Sequence, residues 1–129
     1  MSQKLQEILS EINLSLAQLT QEIEKLIFIS PRAAMQTTRT MTETLVRQVA
    51  HMEEIEHSEL TFGEVQMKLK NEGIITPKTD DAIHFVRRQG NIASHDGTRK
   101  MLIREALTCW GKSTFYFNLV YGNICFTKY

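Results

Sequence analysis

Four polar side chains stand close together in one short stretch of this sequence: Arg87, Arg88, Asn91 and His95. Arginine carries a permanent charge and a fork of donors matched to phosphate oxygens. Histidine is the side chain that gives and takes a proton near neutral pH. Together they supply what metal-free RNA cleavage requires. The imidazole removes the proton of a ribose 2′-hydroxyl, or delivers one to the leaving 5′-oxygen, while the guanidinium stabilises charge on the phosphoryl oxygens. One copy of such a pair is thin equipment, whereas two copies joined in a dimer provide a separate base and acid. Spacing alone favours a plainer reading: Gly90-Asn91 make a turn, Asn91 caps the turn that follows, His95 bonds a backbone carbonyl, and both arginines are solvated.

The elements that must position this cluster are helical. Leu5, Leu9, Ile12, Leu16, Leu19, Ile23 and Leu26 follow at alternating steps of four and three, which predicts one helix over residues 2–28 with an unbroken heptad seam. The seam either packs inside its own bundle or pairs with another chain. Ser30-Pro31 is a helix start, with Ser30 as cap and Pro31 in the first position. The helix it opens runs to about His51, with Ala34, Met41, Leu45, Val49 and Met52 for its buried side. Arg39 and Glu43 lie four apart on it, the spacing of a weak surface pair. Residues 53–59 form an acidic connection.

Thr61 and Glu64 fit a capping box for a short helix carrying Val65, Met67 and Leu69, terminated at Gly73. Thr76-Pro77 opens the next helix, with Ile83, Phe85 and Val86. Gly90-Asn91 is expected to interrupt or kink it, because both residues tolerate left-handed backbone. A last helix over roughly 98–121 holds so many apolar residues that it is expected to be central. The whole predicts an all-α, up-and-down bundle of about five helices: an N-terminal helix over 1–28 and a compact bundle over 29–129.

Bulk properties fit one ordinary globular domain. Of 129 residues, 42% are hydrophobic and 23% charged, and the formal net charge is zero, so no global field recruits nucleic acid. The charge is nevertheless segregated. Residues 1–72 hold seven Lys/Arg against eleven Asp/Glu, and residues 73–104 hold six against three. The basic stretch contains the Arg/His cluster. Cys109 and Cys125 are far apart and match no metal-ligand spacing, and a reduced, cytoplasmic setting is the expectation. No run approaches a membrane span. No Gly-rich phosphate loop, Ser elbow or His-Glu-x-x-His helix is present, so no cofactor or metal is expected. His51 and His57 flank acidic residues but lack a third ligand. The apolar tail from Ile124 to Tyr129 reads as a cut point inside a longer chain.

The segment Ala82-Ile-His-Phe-Val-Arg-Arg-Gln-Gly-Asn-Ile-Ala-Ser-His95 resembles the Ile-Arg-x-x-Gly-Asn-x-Ala-x-His signature of a HEPN-like domain family of unknown function. That family occurs alone or at the N-terminus of type I restriction R subunits, helicases and related bacterial defence proteins. The resemblance extends back to Ser30-Pro31 with Arg39 and Glu43, and forward from Ala106 to Tyr121-Gly122, covering roughly residues 25–123. It implies a helical bundle that homodimerises, and RNA, a nucleotide, or a nuclease or helicase (separate or fused) as partner. It also implies one of two activities. The first is a metal-independent endoribonuclease using an Arg-x(4–6)-His motif, with His95 as the motif histidine. Arg88 satisfies the six-residue spacing, whereas Arg87 aligns with the Ile-Arg signature. The polar residue that usually follows the arginine is displaced here to Asn91. The second is a non-catalytic assembly module.

Overall fold

The computed structural model describes residues 14–121, with side chains described over 18–114. Among them are five helices and no strand: α1 (Leu14–Ile29), α2 (Pro31–Met52), α3 (Phe62–Asn71), α4 (Pro77–His95) and α5 (Ile103–Tyr121). The all-helical expectation holds. Leu5, Leu9 and Ile12, and the side chain of Leu16, lie outside the described residues.

Local chemistry sets most boundaries where the sequence placed them. The Ser30 hydroxyl accepts from the Ala33 amide, and Pro31 occupies the first helical turn of α2. At α3 the capping box closes both ways, Glu64 N to Thr61 Oγ1 at 3.2 Å and Thr61 N to Glu64 Oε1 at 2.9 Å. Gly73 ends that region in the left-handed conformation, φ 73°.

Three expectations are corrected. First, α4 is continuous from Pro77 to His95, and Gly90-Asn91 neither breaks it nor takes a positive φ. Gly90 is buried against α2 instead. A β-carbon there would lie 2.7 Å from Arg39 Cδ and 2.9 Å from its Cγ, and closer still to its Cβ. Glycine is present because two helices approach too closely for a side chain. Second, α5 begins at Ile103, not near residue 98. Asp96 Oδ1 gathers the amides of Thr98 and Arg99 and the Thr98 hydroxyl into a turn, and Glu105 reaches back to the Leu102 amide at 2.9 Å. Third, the central helix is α2, which packs on α1, α3, α4 and α5. Its threonines made it look polar. Thr38 and Thr42 return their hydroxyls to the carbonyls of Ala34 and Thr38, so they can be buried.

The core is built from Ile23, Ile27, Met35, Met41, Leu45, Val46, Val65, Leu69, Ile83 and Val86. The seam residues Leu19, Ile23 and Leu26 belong to it or pack on it, so the second half of the heptad seam serves its own bundle. Met52, expected on the buried side of its helix, is exposed, as are Met67 on α3 and Ile103 and Leu107 on α5. Direction follows from cross-contacts. Arg32 bonds Ala93 O and Arg39 meets Gly90, so α2 and α4 are antiparallel. Arg32 bonds Arg99 O just ahead of α5, and further along both helices the buried hydroxyls of Thr42 and Ser113 lie 2.8 Å apart, so α5 runs parallel to α2.

Candidate functional site

The four sequence-predicted residues share one helix. On α4, His84, Arg88, Asn91 and His95 follow at steps of four, three and four, which places them along a single face. Arg88 and His95 are exposed and Asn91 is half-buried. Among the described residues none of these three has a side-chain hydrogen bond or ion pair. The plainer reading of His95, a ring bonded to a backbone carbonyl, and of Asn91, a cap, therefore finds no such contact.

Arg87 differs from its neighbour. Its Nε donates to Gln66 Oε1 at 3.1 Å, and its Nη2 lies 2.9 Å from His84 Nδ1. The guanidinium rests on Gly63, where a β-carbon would come within 3.4 Å of Nη1. Gln66 is itself buried and donates to Asp80 O and Oδ1, and Asp80 pairs with Lys70 at 3.5 Å. Arg87 thus ties α4 to α3, while Arg88 faces solvent. The structure separates two arginines that the sequence left equivalent.

Beneath this face lies a second polar layer that spacing alone reduced to a surface pair. Glu43 accepts from Arg39 Nη1 at 3.2 Å and from Arg47 Nη2 at 2.9 Å, with all three side chains about three-quarters buried. Arg39 also sits over the Phe62 ring, 5.3 Å from its centroid. Arg47 continues to the carbonyls of His57 and Leu60, holding the α2–α3 connection. The signal for this layer was present as Gly90, whose missing side chain makes room for Arg39. Reading it required knowing which helix it faced.

The C-terminal turn of α4, which carries His95, is clamped from outside. Gln36 Nε2 donates to Ala93 O at 3.1 Å, and Arg32 bonds both Ala93 O and Arg99 O. A cation here also complements the negative end of the helix. Beyond it, the Thr98 hydroxyl holds the Asp96 carboxyl below its usual value.

Other candidates carry less. His51 and His57 stack edge to face with centroids 6.1 Å apart. No group of three His, Cys, Asp or Glu in metal-holding geometry occurs among the described residues. Burial pushes the Cys109 thiol up to about 12, so it is a core residue and not a nucleophile. No helix among the described residues is long and apolar enough to cross a membrane.

No curated protein and no solved structure matches the chain. One family model does match, from the middle of α1 to the end of α5, and so takes in the α4 face, the Arg39–Glu43 layer and Gly90. The chain belongs to the family described as Domain of unknown function (DUF4145), which matches residues 21–121.

Proposed function

We propose that this chain is a HEPN-like dimerising domain of a bacterial defence or nucleic-acid-processing system, and a metal-independent endoribonuclease. The observation that carries the reading is the Arg88–Asn91–His95 face: three polar groups in register, exposed or half-exposed, and without partners among the described residues. Every other arginine of the α2–α4 layer is spent on a structural contact.

Arg88 and His95 are seven residues apart, about 10 Å along the helix axis. A two-fold axis passing between Asn91 and Ile92 brings two such helices together antiparallel. Each Arg88 then stands opposite the partner's His95. In the resulting cleft one imidazole takes the 2′-hydroxyl proton as O2′ attacks phosphorus. The P–O5′ bond breaks, and the other imidazole, protonated, delivers its proton to O5′. The products are a 2′,3′-cyclic phosphate and a free 5′-hydroxyl. The Arg88 guanidinium holds the phosphoryl oxygens throughout.

RNA incubated with the purified protein in excess chelator tests this. The wild type cleaves, and Arg88→Ala and His95→Ala do not. Cleavage that survives both substitutions contradicts the assignment.

A second reading, a non-catalytic module that dimerises and positions a nuclease or helicase, draws on the same layer. Arg32, Arg39, Arg47 and Arg87 each hold α2 or α4 to a neighbouring segment, and Glu43 pairs with Arg39 and Arg47 within α2. No cleavage across many RNAs, with dimerisation intact, selects it.

A further inference from the structure

We infer that the groove between α4 and α5 is a track for single-stranded RNA leading to the Arg88–His95 face, a reading that rests on the RNA assignment above. The groove consists of two recesses meeting at Thr108. One, of about 480 Å³, is lined by Lys78, Asp81, Ala82, Thr108, Gly111 and Lys112. The other, of about 280 Å³, is lined by Phe85, Gln89, Arg99, Arg104, Glu105 and Thr108. The α4 residues follow one line along the helix, from Lys78 near its start to Gln89, the chain neighbour of Arg88. Gln89, at the inner end of the groove, lies about 100° around the helix from Arg88, so a strand leaving the groove turns about a quarter of the way round α4 to reach the face proposed to be catalytic.

Three observations select the occupant. The first is charge. Among the described residues Lys78, Arg104 and Lys112 have no carboxylate partner, whereas Arg99 is already paired with Glu105 at 2.7 Å. Asp81 alone opposes them, so the groove carries an unbalanced positive charge in a chain whose net charge is zero. The second is the aromatic ring in the wall. Phe85 lines the smaller recess, and Lys112 Nζ sits over its ring, 5.8 Å from the centroid, so a ring and a cation are stacked in the groove wall. That is the combination that binds bases and phosphates of unpaired strands.

The third observation is the floor. Gly111 lies within α5, where glycine weakens a helix. Among the described residues a β-carbon on it would meet nothing within 4 Å, in contrast to Gly90. Gly111 lines the wider recess, and a side chain there would take up space that is open among the described residues. That recess falls within the roughly 300–1,000 Å³ of clefts that seat small ligands, the scale of a nucleotide and far below the girth of a duplex.

The test is fluorescence anisotropy in chelator with a labelled single strand of about ten nucleotides, its duplex and a polyglutamate peptide as probes. All arms use a His95→Ala background so that the probe survives. Single-stranded RNA is expected to bind more tightly than the duplex. Gly111→Leu adds bulk to the recess and raises helix propensity, and its expected loss of at least tenfold in affinity is read beside a melting temperature no lower than that of the parent. Lys112→Glu is expected to weaken binding similarly and to flatten the salt dependence by about one phosphate contact. Wild-type affinity in both variants, with binding lost in Arg88→Ala, overturns the track and leaves the RNA reading standing. No RNA binding by any form overturns that reading and the track with it. Polyglutamate bound in preference to RNA, and lost in Gly111→Leu, overturns the RNA occupant.

Discussion

At the residue scale the two helical glycines make opposite predictions. At Gly90 the nearest obstacle to a side chain is the Cβ of Arg39, which no rotamer change can move aside. Gly90→Ala gains about 1 kcal/mol of helix propensity and loses roughly 1–3 kcal/mol to overpacking, so a net destabilisation is expected. At Gly111 nothing among the described residues opposes the new methyl group. Gly111→Ala is expected to stabilise by about 0.5–1 kcal/mol. Urea unfolding of the two variants beside wild type checks the signs, and equal shifts in the same direction count against the packing described here. Gly90 thus joins the candidate site in a positioning role: it lets α2 lie under α4, so that Arg39 is buried while Arg88 remains outside.

At the scale of elements, Asp96 governs the passage from α4 to α5. Its carboxyl is held below 3.8 mainly by the Thr98 hydroxyl, and the backbone amides of Thr98 and Arg99 act in the same direction. A carboxylate whose folded value is depressed contributes stability that is present above its unfolded value and lost as pH falls through the folded one. The melting temperature of Asp96→Ala is therefore expected to lie below wild type at neutral pH. The gap should close only as the pH drops below about 3.8. A gap that closes near pH 6 instead contradicts the assignment to Asp96.

Much at this scale was legible in the sequence. Ser30-Pro31, Thr61 with Glu64, Gly73 and Thr76-Pro77 are local signals, and each marks a boundary where it was expected. What was not legible depends on partners distant in the chain. Gly90-Asn91 has the composition of a turn, and only the approach of Arg39, 51 positions earlier, explains why the helix runs through it. The threonines of α2 disguised the central helix, because their burial depends on hydrogen bonds within that helix. Arg87 and Arg88 are identical by type and adjacent in sequence. Only Gln66 on α3 distinguishes them.

At the scale of the whole molecule, the proposal is one of symmetry. A two-fold axis between Asn91 and Ile92 brings residue 91 of each copy near its counterpart. Asn91→Cys, in a Cys125→Ser background, is expected to form a cross-linked dimer under mild oxidation. The buried Cys109 contributes nothing to it. A dimer that forms in solution but does not cross-link places the axis elsewhere on the bundle. The central claim is that Arg88, and not Arg87, works with His95 on RNA. The most direct test is RNA cleavage in excess chelator by Arg88→Ala and Arg87→Ala, both assayed well below their melting temperatures. Arg88→Ala is expected to be inactive while Arg87→Ala, though less stable, still cleaves. Activity retained by Arg88→Ala and lost in a folded Arg87→Ala would contradict it.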